Sequence, residues 1–146
     1  MTEQKIRYNL KKARLEVEKA RKMLDNFDML SETSVKQFIE NLISAMNALS
    51  KVILILEKDL PVSGDETFED LNQDMFERME IERKIYDAYY VMRHITRCRI
   101  EKIENGVRVS SWKNSKTFSK AELKTFLDWV EMLCDSVAKK ASLTAL

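Results

Sequence analysis

Arg83, Asp87, Tyr90, His94 and Arg97 follow one another at spacings of four, three, four and three residues. Each residue of an α-helix turns the chain by about 100°, so this spacing lays the five side chains along one stripe. His94 is the only histidine in the chain, and imidazole is the side chain whose charge changes most readily near neutral pH. Arg93, His94, Arg97 and Arg99 make the densest cationic cluster. Guanidinium groups offer paired donors to phosphate, and a histidine among them could give or take a proton in RNA cleavage. Tyr86, Tyr89 and Tyr90 add stacking surface, and Arg108, Trp112, Lys113, Lys116, Lys120 and Lys124 interleave an aromatic with cations downstream. Single-strand binders use that mixture. The candidate binding residues are therefore Arg83, Tyr90, Arg93, His94, Arg97 and Trp112. The competing reading is a solvated outer face held by helical charge pairs such as Arg83 with Asp87.

Other chemistries find little support. With glycines only at 64 and 106, no glycine-rich phosphate loop can form. A single histidine leaves no His-rich metal site, and Val91 stands where a Glu-x-x-His pair of a four-helix di-iron centre would need its glutamate. Cys98 and Cys134 are isolated and have no metal-ligand spacing, so they read as packed free thiols. No catalytic residue, metal ligand or cofactor is assigned.

The elements that must position these residues are helical. Two glycines and one proline in 146 residues leave few breakers, which favours long helices in one domain spanning the whole chain. Ile81, Ile85, Ala88, Met92 and Ile95 form the apolar seam opposite the polar stripe. Ile6, Leu10, Ala13, Val17, Ala20, Leu24 and Phe27 mark a first helix over about 3–29. A second runs from a Ser34–Gln37 capping pattern to about Lys58 and is apolar nearly all round at its end. Such a helix belongs at the centre of the bundle, or buries its extra face in a subunit contact. Pro61 and Gly64 sit in the clearest connection, after which Thr67 with Asp70 can cap a third stretch reaching about residue 102, with a break near 77–82. Ser119 with Glu122, flanked by Phe118 and Leu123, predicts a last helix starting at residue 120.

The fold expected is an all-α, up-and-down bundle of four main helices, five if the third breaks. Asn105-Gly106 lies in the excursion at about 103–117 and reads either as a tight hairpin turn or as a helix cap followed by a partly extended loop, the second being favoured.

This layout resembles the HEPN superfamily of small helical bundles. An amphipathic first helix precedes a greasy second one, ENLISAMNALSKVILILEKDLPVSG, and a long helix follows with basic residues and a histidine. HEPN ribonucleases place an arginine four to six residues from a histidine, whereas Arg93 and Arg83 lie one and eleven positions before His94. The resemblance therefore implies a dimeric, non-enzymatic interaction module, working beside a nucleotidyltransferase or another toxin–antitoxin-like or nucleic-acid-associated partner. It is consistent with a prokaryotic source, archaeal or bacterial, and the departure in motif spacing weighs against metal-independent ribonuclease activity. A homodimer through apolar side chains of the second and last helices is expected. An RNA-binding protein, or a ribonuclease of degenerate motif, is the alternative.

Charge is unevenly distributed under a net of +1. Residues 1–24 carry +5, residues 25–82 carry −10 and residues 93–124 carry +6. Such blocks complement one another within or between copies, or present a basic surface to an anionic partner. No apolar run exceeds Val52 to Leu56, and Met1 is followed by polar residues, so a cytoplasmic chain without a membrane partner is expected.

Overall fold

In the computed structural model, residues 2–58 and 63–145 are described. Pro61 lies outside them. α1 (Thr2–Asp25) and α2 (Glu32–Lys58) form the first helical pair, joined by a 3-10 turn at Phe27–Met29. A second 3-10 turn at Phe68–Asp70 leads into α3 (Gln73–Arg78) and α4 (Arg83–Thr96). Three strands follow, β1 (Arg99–Ile103), β2 (Gly106–Ser110) and β3 (Ser115–Ser119), before α5 (Lys120–Ala145) closes the chain.

α2 is the hub, packed against α1, α4, α5 and β1. Its apolar residues from Val35 to Ile55 are buried within the chain's own core, with only Ile43 partly exposed. By length and composition α2 could cross a membrane, but here its greasy surface is consumed by neighbouring helices. The central placement is thus the one realised. The α2 side chains expected to join two copies are largely buried within this chain.

Local signals set the helix ends with two shifts. α2 starts at Glu32 rather than after Ser34, because Ser31 Oγ accepts the Ser34 N–H at 3.2 Å. The Thr67–Asp70 capping box forms, yet it heads only the 3-10 turn; Asn72 caps α3 through the Met75 N–H at 3.0 Å. The third stretch does break between Arg78 and Arg83. Ile81 N–H reaches back to Phe76 O at 2.9 Å and Glu80 N–H to Glu77 O at 3.1 Å, with Glu80 at φ 58°. This is the reciprocal pair that closes a helix through a left-handed residue. Ser119 and Glu122 exchange backbone and side-chain bonds at 3.1 Å, and α5 begins at Lys120 as expected.

The fold is mainly helical but not all-α. Residues 99–119 form an antiparallel sheet in the order β1-β2-β3, so the favoured cap-and-loop reading of 103–117 is wrong. The β1–β2 turn is centred on Glu104 and Asn105, the latter at φ 59°, and Gly106 already pairs with Ile103. Gly106 is needed for a tertiary reason. A Cβ there would collide with the Phe118 carbonyl oxygen of β3 and lie 3.0 Å from Ser119 Cα. One sheet face, with Ile100, Val107, Val109 and Phe118, is buried in the core. An isolated hairpin is marginal in water, so this burial is what makes the strands stable. Lys102 secures β1 by donating to Phe27 O at 2.8 Å and Asp28 O at 3.1 Å.

Candidate functional site

α4 buries Ile85, Ala88, Tyr89, Met92 and Ile95, which leaves Arg83, Asp87, Tyr90, His94 and Arg97 exposed on its outer side. The stripe read from the spacing therefore faces solvent. Its C-terminal half runs beside the β2–β3 hairpin, and the two enclose an open pocket of about 410 Å³. Tyr90, Val91, His94, Ile95 and Cys98 form the helical wall, and Val109, Lys116 and Phe118 form the sheet wall. Ser111, Asn114 and Ser115 close one end with small polar groups. An apolar cavity of this size with a few converging polar groups is the usual form of a binding site.

His94 Nε2 lies 3.5 Å from Cys98 Sγ, one turn further on. Tyr90 packs against Tyr86 and Tyr89, with ring centroids 4.9 and 5.4 Å away. Burial, then the hydrogen bond with Tyr86, pushes the Tyr90 phenol up to about 12, so it remains a neutral hydrogen-bonding group. No Asp or Glu lines the pocket. His94 has no carboxylate partner among the described residues. His94 and Cys98 are two ligating side chains, and no group of three or more His, Cys, Asp or Glu suited to a metal occurs among the described residues.

The rim is cationic. Lys116 lines the pocket, Arg97 follows His94, Lys113 lies in the β2–β3 turn and Lys120 follows β3, and none of these four makes an ion pair among the described residues. Lys116 Nζ sits 5.1 Å from the Phe118 ring centroid, and Lys113 Nζ sits 4.7 Å from that of Trp112. Trp112, 90% exposed, stands in the β2–β3 turn next to Ser111.

The six candidate residues divide. Tyr90 and His94 line the pocket, Arg97 follows one turn beyond His94, and Trp112 stands at the hairpin tip. Arg93 is engaged elsewhere: it pairs with Glu69 and lies 5.9 Å from the Tyr89 ring centroid. Arg83, at the first turn of α4, bonds Asp87 Oδ1 at 3.4 Å and covers Tyr86. It is about four turns of helix away from Arg97, roughly 20 Å. Arg83 has the helical charge pair of the solvated-face reading, whereas Tyr90 and His94, also exposed, line the open pocket. The sequence reading missed Val91, Asn114 and the sheet wall of Val109 and Phe118, because pairing between β2 and β3 brings the sheet residues opposite α4.

No family model matches the chain, and no curated protein or solved structure does either.

Proposed function

We propose that this chain is a non-enzymatic, HEPN-like interaction module of the cytoplasm whose working surface is the α4–β3 face. The observation that carries this reading is an apolar pocket with Lys116 and no carboxylate in its lining, with Arg97, Lys113 and Lys120 on the adjoining segments making no ion pair among the described residues. A site of that composition is suited to holding a partly apolar, anionic partner. The failed arginine–histidine spacing argues for the non-enzymatic reading.

The second reading, binding of RNA, is favoured by exposed Trp112 beside Lys113 and by Arg97. An RNA-cleavage and gel-shift assay on wild type, His94→Ala and Arg97→Ala decides between them. The interaction-module reading expects no cleavage by any of the three and no RNA retention at 150 mM salt, roughly physiological strength. Cleavage lost in His94→Ala would establish an enzyme. A complex weakened by Arg97→Ala and falling steeply with salt would establish the nucleic-acid reading.

A further inference from the structure

β3 is an edge strand, and two hydrogen bonds fix which of its backbone groups stand free. Lys120 N–H donates to Asn105 O at 2.8 Å, and Ser111 N–H donates to Asn114 O at 2.8 Å. Bonded and non-bonded pairs alternate along an antiparallel ladder. In the observed register Val107 with Phe118 and Val109 with Lys116 are therefore bonded pairs, while Arg108 with Thr117 and Ser110 with Ser115 are not. Ser115 and Thr117 consequently turn both N–H and C=O away from β2. Neither backbone finds a partner among the described residues. Ser119, next in phase, has its N–H taken by Glu122.

A free edge is a template for one more strand. Here it lies beside a groove whose far wall is α4, with Tyr90 and Val91 exposed on it. Lys116 and Phe118 project from β3 on the side that lines the pocket. Residues of an added strand placed opposite them would project to that same side. Lys113, Lys116 and Lys120, none with an ion pair among the described residues, supply positive charge along and around the strand. Edge lysines repel a second copy laid on the same strand, and they attract a segment of opposite charge.

We infer that the α4–β3 groove takes an extended acidic peptide segment of a partner protein, which adds as a fourth strand on β3 and seats aliphatic side chains in the pocket. This rests on the reading of the α4–β3 face as a binding surface, and it names the partner's chemistry. Main-chain bonds to Ser115 and Thr117 supply affinity, and the pocket with its cationic rim supplies selectivity.

The test uses the full chain and a short fluorescein-labelled peptide alternating glutamate with valine, read by anisotropy and by amide chemical shifts. Three comparisons accompany it: the peptide with lysine for glutamate, the peptide N-methylated at alternate residues, and the variant Thr117→Pro. Proline at 117 removes an N–H that faces the open edge and leaves the bonds to β2 intact. The N-methylated peptide tests the same bonds without altering the protein. The expected result is binding that shifts Tyr90, His94 and Lys116, falls about tenfold or more with N-methylation and with Thr117→Pro, and is lost with the lysine peptide. Shifts at those residues with no loss on N-methylation would overturn strand addition while leaving the binding face standing. No shift there with any peptide would overturn both. Displacement of the peptide by a single-stranded RNA of higher affinity would overturn the choice of a protein partner.

Discussion

The two flanks of α4 carry the same residue types and treat them differently. On one flank Tyr89 is fully buried, and its hydroxyl donates to Asn47 Oδ1 at 3.0 Å. The same oxygen accepts the Phe68 N–H at 3.0 Å, and Phe68, Phe76 and Tyr86 close the aromatic cluster. Arg93 is neutralised there by Glu69. On the other flank Tyr90 and His94 line an open pocket, and Arg97 and Lys116 have no counter-charge among the described residues. An arginine is thus engaged or available according to whether the chain itself supplies its counter-charge. Residue type alone does not decide it.

The sharpest way to break this contrast is to damage the closed flank. Asn47→Leu leaves the Tyr89 hydroxyl and the Phe68 N–H without their acceptor, and should cost about 2–4 kcal/mol in a urea unfolding curve. His94→Ala on the open flank should change the same curve by less than about 0.5 kcal/mol. Equal losses would erase the distinction. Gly106→Ala should come next, at about 1–3 kcal/mol, because its Cβ meets the β3 backbone. The loss should be accompanied by weakened amide protection in β2 and β3.

The cysteines extend the contrast to reactivity. Burial pushes the Cys134 thiol up to about 11, whereas Cys98 lines the open pocket. Thiolate is the reactive form, so a thiol reagent at pH 8 should label Cys98 first, and Cys98→Ser should remove the fast phase. A fast phase that survives this substitution would place Cys134 on the surface.

The smallest effect concerns Glu66. Slight desolvation of its carboxyl is outweighed by bonds from the Ser63 and Gly64 N–H groups and the Ser63 hydroxyl, which hold it at about 2 against an ordinary 4.5. A carboxylate with a depressed folded value contributes stability that is fully present above pH 4.5 and is lost as pH falls toward 2. The group is only partly buried, so solvent screening limits the contribution to a few tenths of a kcal/mol. Stability curves of Glu66→Gln and wild type should converge over that window. Curves that stay parallel down to pH 2 would remove the effect.

How much was legible in the sequence follows the range of the interactions. The α4 seam, its exposed stripe and the start of α5 were legible, because helical spacing and the Ser119–Glu122 exchange act within a few residues. The break near 77–82 was legible in place but not in mechanism, since Glu80 occupies the left-handed position where glycine is usual. The sheet was not legible. Asn105-Gly106 suits a cap and a hairpin alike, and what requires Gly106 is the approach of Phe118 from a strand formed later in the chain. Arg93 was placed in the candidate site because its captor, Glu69, lies on a separate turn far back in the sequence. The pocket escaped for the same reason: helix and sheet contribute its two walls, and spacing along one element says nothing about the other.

The claim that the open flank of α4 is the working surface is tested most directly with 1-anilinonaphthalene-8-sulfonate, an apolar anion of suitable size, titrated into wild type, Val91→Trp and Arg83→Ala. Val91→Trp fills the mouth of the pocket from an exposed position, and Arg83→Ala changes a charge on the distant turn of α4. The account predicts one bound probe per chain, lost in Val91→Trp and unchanged in Arg83→Ala. Binding that survives Val91→Trp, or that disappears with Arg83, would contradict it.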